Sequence, residues 1–311
     1  MTETGRFRGK RVGVFLGGES SEREVSLRTG AAAVAALRRK GYEVREIDVR
    51  GDWLSVVRDS GVEVAFLALH GRFGEDGCIQ GAMELARIPY TGSGVAASAV
   101  SMSKVLAKRV AAAAGVPCAP DALLDEADPE PSPPPGIGFP LVVKPDREGS
   151  TVGIGIVRGP GEWGAAVAAA RTFDPRVLVE AYVPGREITV GILNGRVLPA
   201  IEIVPKSGDG FYDYRSKYTA GETEYVIPVP MHRDLLLRAA EFTRNAAAAL
   251  QLRGAARLDY RVDPAGTLFF LEANTIPGMT ETSLLPKAAR FDGIPFEDLV
   301  EQILDDAGLR K

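Results

Sequence analysis

Residues 256–274 read ARLDYRVDPAGTLFFLEAN, two runs of alternating character around Asp263, Pro264, Ala265 and Gly266. A four-residue turn of that kind predicts an antiparallel hairpin with positions 257 and 272 roughly opposite each other. Period two then puts Arg257, Asp259, Glu272 and Asn274 on one side. Leu258, Tyr260, Leu271 and Ala273 fall on the other, an apolar face suited to a core. Two carboxylates crowded with an amide repel each other unless something cationic lies between them, and three hard oxygen donors suit magnesium. The hairpin therefore points to a metal–nucleotide site. The plainer alternative is a solvated outer face on which Arg257 simply pairs with the acids.

Upstream, a phosphate-binding device has to be found without a P-loop, because no G-x-x-x-x-G-K-[ST] occurs in the chain. The small-residue loop Glu148-Gly149-Ser150-Thr151-Val152-Gly153 can fold its backbone N–H groups over phosphates, and Lys144 lies on the strand just before it. Alone, such a loop is equally an ordinary turn beside a solvated lysine. Residues 92–97, GSGVAA, match a dinucleotide fingerprint, but no acid stands about 20 positions further on to hold a ribose, and that reading is rejected. A helix is expected to begin there and to continue through Lys104 and Lys108. The run PEPSPPPG (129–136) follows as a Pro-rich connector, where a hinge or linker fits.

The first third alternates short apolar runs, RVGVFLG (11–17), YEVREIDV (42–49) and VEVAFLALH (62–70), with a helical pattern that Gly41 ends. This is βαβ logic with a parallel sheet, and ligands gather at the carboxyl ends of such strands, here at Gly17-Gly18-Glu19-Ser20. From PLVVKP onward, strands joined by tight turns give antiparallel patterning, followed by a helical segment from about Met231 to Leu250 and the hairpin. The fold class is thus mixed α/β.

A chain of 311 residues suits two or three domains. Its 37 Lys+Arg against 41 Asp+Glu, with no long run of one sign, exclude nucleic acid as an expected partner. The basic start runs into VGVFLGG (12–18), too short and Gly-rich for a signal peptide or a membrane span, so a cytoplasmic protein without a membrane partner is expected. Cys78 and Cys118 lie far apart with no metal-ligand spacing and are expected to be buried free thiols.

The ordered set of Lys104, Lys144, the Gly-rich loop, Glu180, Glu187 and the Asp259/Glu272/Asn274 face resembles the ATP-grasp arrangement. The longer motifs are similar to those of the D-alanine:D-alanine ligases within it: GGESSEREVSL (17–27), HGRFGEDGCIQG (70–81), IPYTGSG (88–94), VLVEAYVPGREITVG (177–191), FYDYRSKY (211–218) and LEANTIPGMTETSLLPKAA (271–289). The resemblance covers about Arg11 to Ala289. It implies an N-terminal open parallel-sheet domain (1–98), a central ATP-grasp subdomain (99–184) and a C-terminal one bearing metal and substrate sites (185–311).

Residue by residue, the resemblance implies that Lys104 and Lys144 reach the phosphates and that Glu180, Ala181, Tyr182 and Val183 read adenine. Glu187 would hold the ribose, and Asp259, Glu272 and Asn274 two magnesium ions, with manganese as a substitute. Glu22 would hold the ammonium of the first of two D-alanines, and His70 the same pocket wall in a positional or carboxylate-contacting role. Tyr218 would close a lid linked to Ser150 and Glu22, with Lys217 on the transferred phosphate. Arg257 and the Gly278 N–H would stabilise an oxyanion, and Ser283 and the Leu284 backbone would hold the second D-alanine's carboxylate. ATP as co-substrate, a D-alanyl phosphate intermediate, peptidoglycan precursor synthesis and a homodimer packed through the N-terminal domain follow from the same likeness. His232, at a helix start, is expected to be structural.

Four positions depart from the commoner pattern: Ser103 for Asp, Asp146 for Ser, Ala273 for Val and Thr282 for His. The alternatives are a related ligase whose second substrate is D-lactate or D-serine, a non-catalytic ATP-binding protein, and an ATP-grasp carboxylase. Tyr218, where hydroxy-acid users resemble the family but carry Phe, speaks for an amine nucleophile.

Overall fold

A computed structural model describes residues 5–149, 152–206 and 222–311. The first strand, β1 (Arg11–Gly17), runs parallel to β2 (Glu43–Val49) and β3 (Val64–Leu67) in the order β2-β1-β3. Its apolar residues are almost wholly buried, as expected of a parallel strand covered on both faces. Helix α1 (Arg23–Arg39) crosses over from β1 to β2 and ends at Gly41, whose φ of 83° only glycine adopts without strain. Helix α2 (Trp53–Asp59) starts under Asp52, whose side chain accepts from the Ser55 N–H at 3.2 Å.

Helix α3 (Cys78–Ala86) is followed by α4 (Val95–Met102) and α5 (Lys104–Ala113). The expected single helix through Lys104 and Lys108 is therefore two. Ser103 takes an extended conformation, ends α4, and caps α5 by accepting from the Leu106 N–H at 3.2 Å. Cys78 opens α3 and is exposed, and Cys118 is half-buried, so the expected burial of both thiols does not hold. At the first position of a surface helix, a side chain faces solvent.

Strands β4 (Asp121–Leu123), β5 (Leu141–Pro145), β6 (Gly155–Val157) and β7 (Val177–Ala181) pair antiparallel in the order β4-β7-β5-β6. The Pro-rich run 129–136 joins β4 to β5 inside this sheet and is not a linker between domains. It is tied down where Trp163 Nε1 donates to Pro131 O at 2.6 Å and Arg171 to Pro129 O at 3.2 Å. Both donors lie on α6 (Pro160–Arg171), a helix that the strand-and-turn reading passed over. Its signals were present in Pro160 at the first turn and the alanine run after it.

The second antiparallel sheet has the order β11-β10-β8-β12-β13, with β9 (Arg196–Val197) on β8. Its members are β8 (Arg186–Leu193), β10 (Ile201–Pro205), β11 (Thr223–Val226), β12 (Ala255–Val262) and β13 (Leu268–Asn274). Helix α7 (Arg233–Ala249), capped by His232, covers it together with α5, burying Ala107, Ala111, Ala239 and Ala246 against Ile188, Leu258 and Phe270. The last helices, α8 (Leu284–Phe291) and α9 (Phe296–Asp305), return to the first sheet. There Leu285, Leu299, Val300 and Leu304 share one core with Val12, Val14, Val34 and Leu37.

The β12–β13 register differs from the simple hairpin. Arg257 faces Asn274 and Asp259 faces Glu272, but Tyr260 then pairs with Phe270. A bulge absorbs Leu271, so Phe270 rather than Leu271 enters the core, fully buried and edge-on to Tyr260 at 5.9 Å between ring centres. Alternation from the turn alone cannot anticipate an extra residue in one strand. The four polar residues nevertheless occupy two directly opposed pairs on one face.

Candidate functional site

A pocket opens where the first sheet, the α4–α5 junction and the edge of the second sheet meet. It is lined by Glu22, His70, Glu75, Ser101, Met102, Lys104, Glu148, Gly149 and the run Glu272–Thr275. Five residues singled out from the sequence thus come together: Glu22, His70, Lys104, Glu272 and Asn274. Glu22 precedes α1 at the carboxyl end of β1, and Gly149 approaches it so closely that a Cβ there would lie 2.8 Å from its carboxylate. A side chain at position 149 would have to displace the Glu22 carboxylate.

His70 is buried beyond the end of β3. Its Nε2 lies 3.2 Å from Thr29 Oγ1, and its Nδ1 lies 3.9 Å from the Glu75 carboxylate. Thr29 also accepts from the Met279 N–H at 3.3 Å, joining α1, the His70 turn and the loop after β13. A Cβ on Gly278 would lie 3.1 Å from Ser283 Oγ. That hydroxyl accepts from the Thr280 N–H at 3.1 Å, and Leu284 opens α8 beside it. Gly278, Ser283 and Leu284 therefore stand behind His70 and Thr29. Thr29 was missed in the sequence because a threonine inside a helix carries no motif.

The polar face of β12–β13 is not a solvated surface. Arg257 and Asp259 are 7 % and 6 % exposed, and their pairing is bidentate, Nε and Nη2 each 3.0 Å from a carboxylate oxygen. Thr189 on β8 adds a 2.6 Å hydroxyl bond to Asp259. Glu272 lies 3.4 Å from Lys104 Nζ, and Asn274 Oδ1 accepts from the Ile276 N–H at 3.1 Å. The three expected metal donors are all oxygens, and the two acids each face a cation. Among the described residues, no group of three or more His, Cys, Asp or Glu side chains gathers as a metal cage.

Lys144 and Glu180, which are not among the residues lining that pocket, form a second charged centre. Glu180, on β7, is ion-paired with both Lys144 on β5 and the fully buried Lys108 on α5. Lys108 also lies 2.9 Å from Asp121. Burial pushes the Glu180 carboxyl up, but Lys144 and Lys108 outweigh it and hold the group below its ordinary value. Beyond Glu180 the chain passes from one antiparallel sheet to the other. Along this linker the Ala181 N–H bonds Pro120 O at 2.9 Å and the Tyr182 N–H bonds Pro140 O at 3.1 Å. Arg261 Nε donates to Val183 O at 3.2 Å, and its guanidinium lies 3.6 Å from Glu187.

In the pocket, Glu148 sits close to Glu22. Burial and then that neighbour push its carboxyl above the ordinary value, against the pull of Lys104. The described lining carries Glu22, Glu75, Glu148 and Glu272 against Lys104 alone. Such a lining favours cationic groups, an ammonium or a divalent metal. Two of the noted departures, Ser103 and Asp146, touch each other directly, with hydroxyl-to-carboxylate distances of 3.0 and 2.8 Å. Ser150, Lys217 and Tyr218 lie outside the described residues.

Residues 53–93 match the family model described as "D-ala D-ala ligase N-terminus" and residues 92–305 that described as "D-ala D-ala ligase C-terminus". The chain is 50 % identical over 302 residues to the D-alanine–D-alanine ligase of Syntrophotalea carbinolica, covering 97 % of each chain. It is similar to the crystal structure of D-alanine–D-alanine ligase from Bacillus anthracis complexed with ATP, with a TM-score of 0.83 at 32 % identity over 96 % of this chain and 97 % of that one. The VanG D-Ala:D-Ser ligase of Enterococcus faecalis is similar at a TM-score of 0.80 and 26 % identity, over 94 % and 98 %.

Proposed function

The chain belongs to the D-alanine–D-alanine ligase family, ATP-dependent ligases, and from that premise we propose how its residues divide the work. The observation that carries the reading is the single pocket shared by Glu22, His70, Lys104, the Gly149 loop and the Glu272–Asn274 edge. Glu22 holds the ammonium of the first D-alanine, at a site whose charge favours it. Lys104 and Lys144 bind the phosphates, Glu180 to Val183 the adenine and Glu187 the ribose. Asp259, Glu272 and Asn274 fit two magnesium ions as an all-oxygen set, and the bound ions would offset phosphate charge.

The carboxylate of the first D-alanine attacks the γ-phosphorus and ADP leaves, giving a D-alanyl phosphate. The neutral amine of the second D-alanine, its carboxylate held by Ser283 and the Leu284 backbone, attacks the carbonyl. Arg257 and the Gly278 N–H stabilise the oxyanion, phosphate leaves, and the dipeptide remains. His70 is held by Thr29 in a positional role. Tyr218 closes the site as its lid, linked to Ser150 and Glu22, with Lys217 on the transferred phosphate.

The division 1–98, 99–184 and 185–311, a homodimer, a cytoplasmic location and a role in peptidoglycan precursor synthesis belong to the same proposal. Among the described residues, no helix is long and apolar enough to cross a membrane. Phosphate release is measured with ATP and magnesium while D-alanine, L-alanine, or D-alanine with D-lactate or D-serine is supplied, and product mass is read in parallel. D-alanyl-D-alanine matching the phosphate one for one is expected. A depsipeptide or a D-alanyl-D-serine product as the main species would overturn the second-substrate assignment.

A further inference from the structure

Asp146 stands where two pocket-forming segments cross, the start of α5 with Lys104 and the end of β5 leading into Glu148 and Gly149. Its side chain has no exposed surface. The carboxylate accepts from the Ser103 hydroxyl at 3.0 and 2.8 Å, from the Val105 N–H at 2.9 Å and from Arg176 Nε at 3.1 Å. The backbone continues the seam: the Lys104 N–H donates to Asp146 O at 3.1 Å and the Asp146 N–H to Arg176 O at 2.9 Å. On the pocket side, Lys104 Nζ donates to Glu148 O.

One buried anion therefore does three things. It satisfies an otherwise orphaned N–H at the start of α5, complements the positive end of that helix, and neutralises Arg176 at the start of β7. The carboxylate's own hydrogen bonds go to Ser103, Val105 and Arg176, none of which lines the pocket. Yet the residues beside its partners, Lys104 on one side and Glu148–Gly149 on the other, line that pocket. A shift of α5 along β5 would move the lysine and the loop relative to each other.

We propose that Asp146 and Ser103 are positioning residues, a buried latch that holds Lys104 and Glu148–Gly149, the first residues of the glycine-rich loop, in register for the phosphates of ATP. The proposal rests on the reading that Lys104 and this loop bind the nucleotide. The latch needs one carboxylate and one hydroxyl. Exchanging the two keeps one charge, one donor and one acceptor. Changing one alone gives either two carboxylates in a buried site or two hydroxyls beside an Arg176 left with Glu126, 3.7 Å away, as its remaining acid.

The test compares Asp146→Ser, Ser103→Asp, the exchange S103D/D146S and Ser103→Ala in the full chain. Initial rates are taken with D-alanine saturating and ATP varied, and thermal melting is followed alongside. Each charge-changing single variant is expected to raise KM for ATP about tenfold, and more than it lowers kcat, from the loss of a charge-assisted hydrogen bond and misplacement of the lysine. The exchange variant recovers most of that loss. Melting temperatures that fall while KM for ATP stays at the wild-type value would reduce the pair to a structural contact and overturn the proposal, as would an exchange variant no better than the singles. If the charge-changing singles do not fold, Ser103→Ala and the exchange variant carry the comparison, and an unchanged KM for ATP in Ser103→Ala then overturns it. Lys104→Met separates the two readings: wild-type KM for ATP in that variant would sink nucleotide binding by Lys104 itself.

Discussion

Glu180 shows what a single buried charge demands. With 3 % of its surface exposed, it could not stay ionised alone, and the two lysines that flank it supply the counter-charge. Lys108, wholly buried, is shared with Asp121, which also pairs with Arg109 at 2.5 Å. Replacing Lys108 by Met strips one cation from two carboxylates and is expected to cost about 3–5 kcal/mol in denaturant unfolding, as breaking a buried pair does. An unchanged midpoint would mean that Lys144 and Arg109 suffice. The pH dependence has a definite sign. Glu180 and Asp121 are held below their ordinary values, so their contribution is full above about pH 4 and is lost as pH falls through the folded values. Lys108 is raised, burial pulling it down but its acid partners outweighing that, so its contribution is full below about pH 10 and is lost as pH rises further. Stability measured across that range should show a plateau with an acid limb that Lys108→Met flattens. Lys144 and Glu180 could be picked out from the sequence because motifs surround them. Lys108 could not, since its importance lies in partners brought from strands, and Asp146 stood out only as a departure from the family's pattern, its contacts being invisible there.

At the scale of elements, the linker between β7 and β8 depends on Gly185. Its φ is 119°, and a Cβ there would lie 2.1 Å from the Val262 carbonyl oxygen at the end of β12. Gly185→Ala must move backbone, with a cost on the order of 1–3 kcal/mol from strain alone. The loss should appear as a lower melting temperature and a weaker affinity for ATP, because Glu180–Val183 and Glu187 flank the glycine. A variant that melts and binds like the wild type would show that the linker yields freely. The strands of this region were readable from alternation and turns, and the polar face of the last hairpin was placed correctly. The bulge at Leu271, the break at Ser103 and the course of the Pro-rich loop were not, because each depends on what packs against the element and not on its own period.

Across the whole molecule, the two ends of the chain share one core. The Gly5 and Arg6 N–H groups each donate to the Asp305 carboxylate at 2.9 Å. Tyr42 and Lys40 at the end of α1 both bond Glu301 on α9, each at 3.0 Å. Leu304→Ala opens a cavity between α9 and the first sheet and is expected to cost about 2–5 kcal/mol. Because that core also holds Leu285 and Met279, the loss should appear in one unfolding transition followed by any probe. Separate transitions for the two halves would contradict a shared core. The arrangement brings the loop after β13 against α1 and His70, placing the groups proposed for the second D-alanine beside those proposed for the first.

The central claim is that ATP is spent on activating the first D-alanine's carboxylate within this pocket. It is tested most directly by supplying D-alanine labelled with oxygen-18 in its carboxyl group and weighing the released phosphate. Phosphate leaving an acyl phosphate carries one carboxyl oxygen with it, so one labelled oxygen per phosphate is predicted, matched by dipeptide formed. Phosphate released without the label, while dipeptide accumulates, would contradict the account.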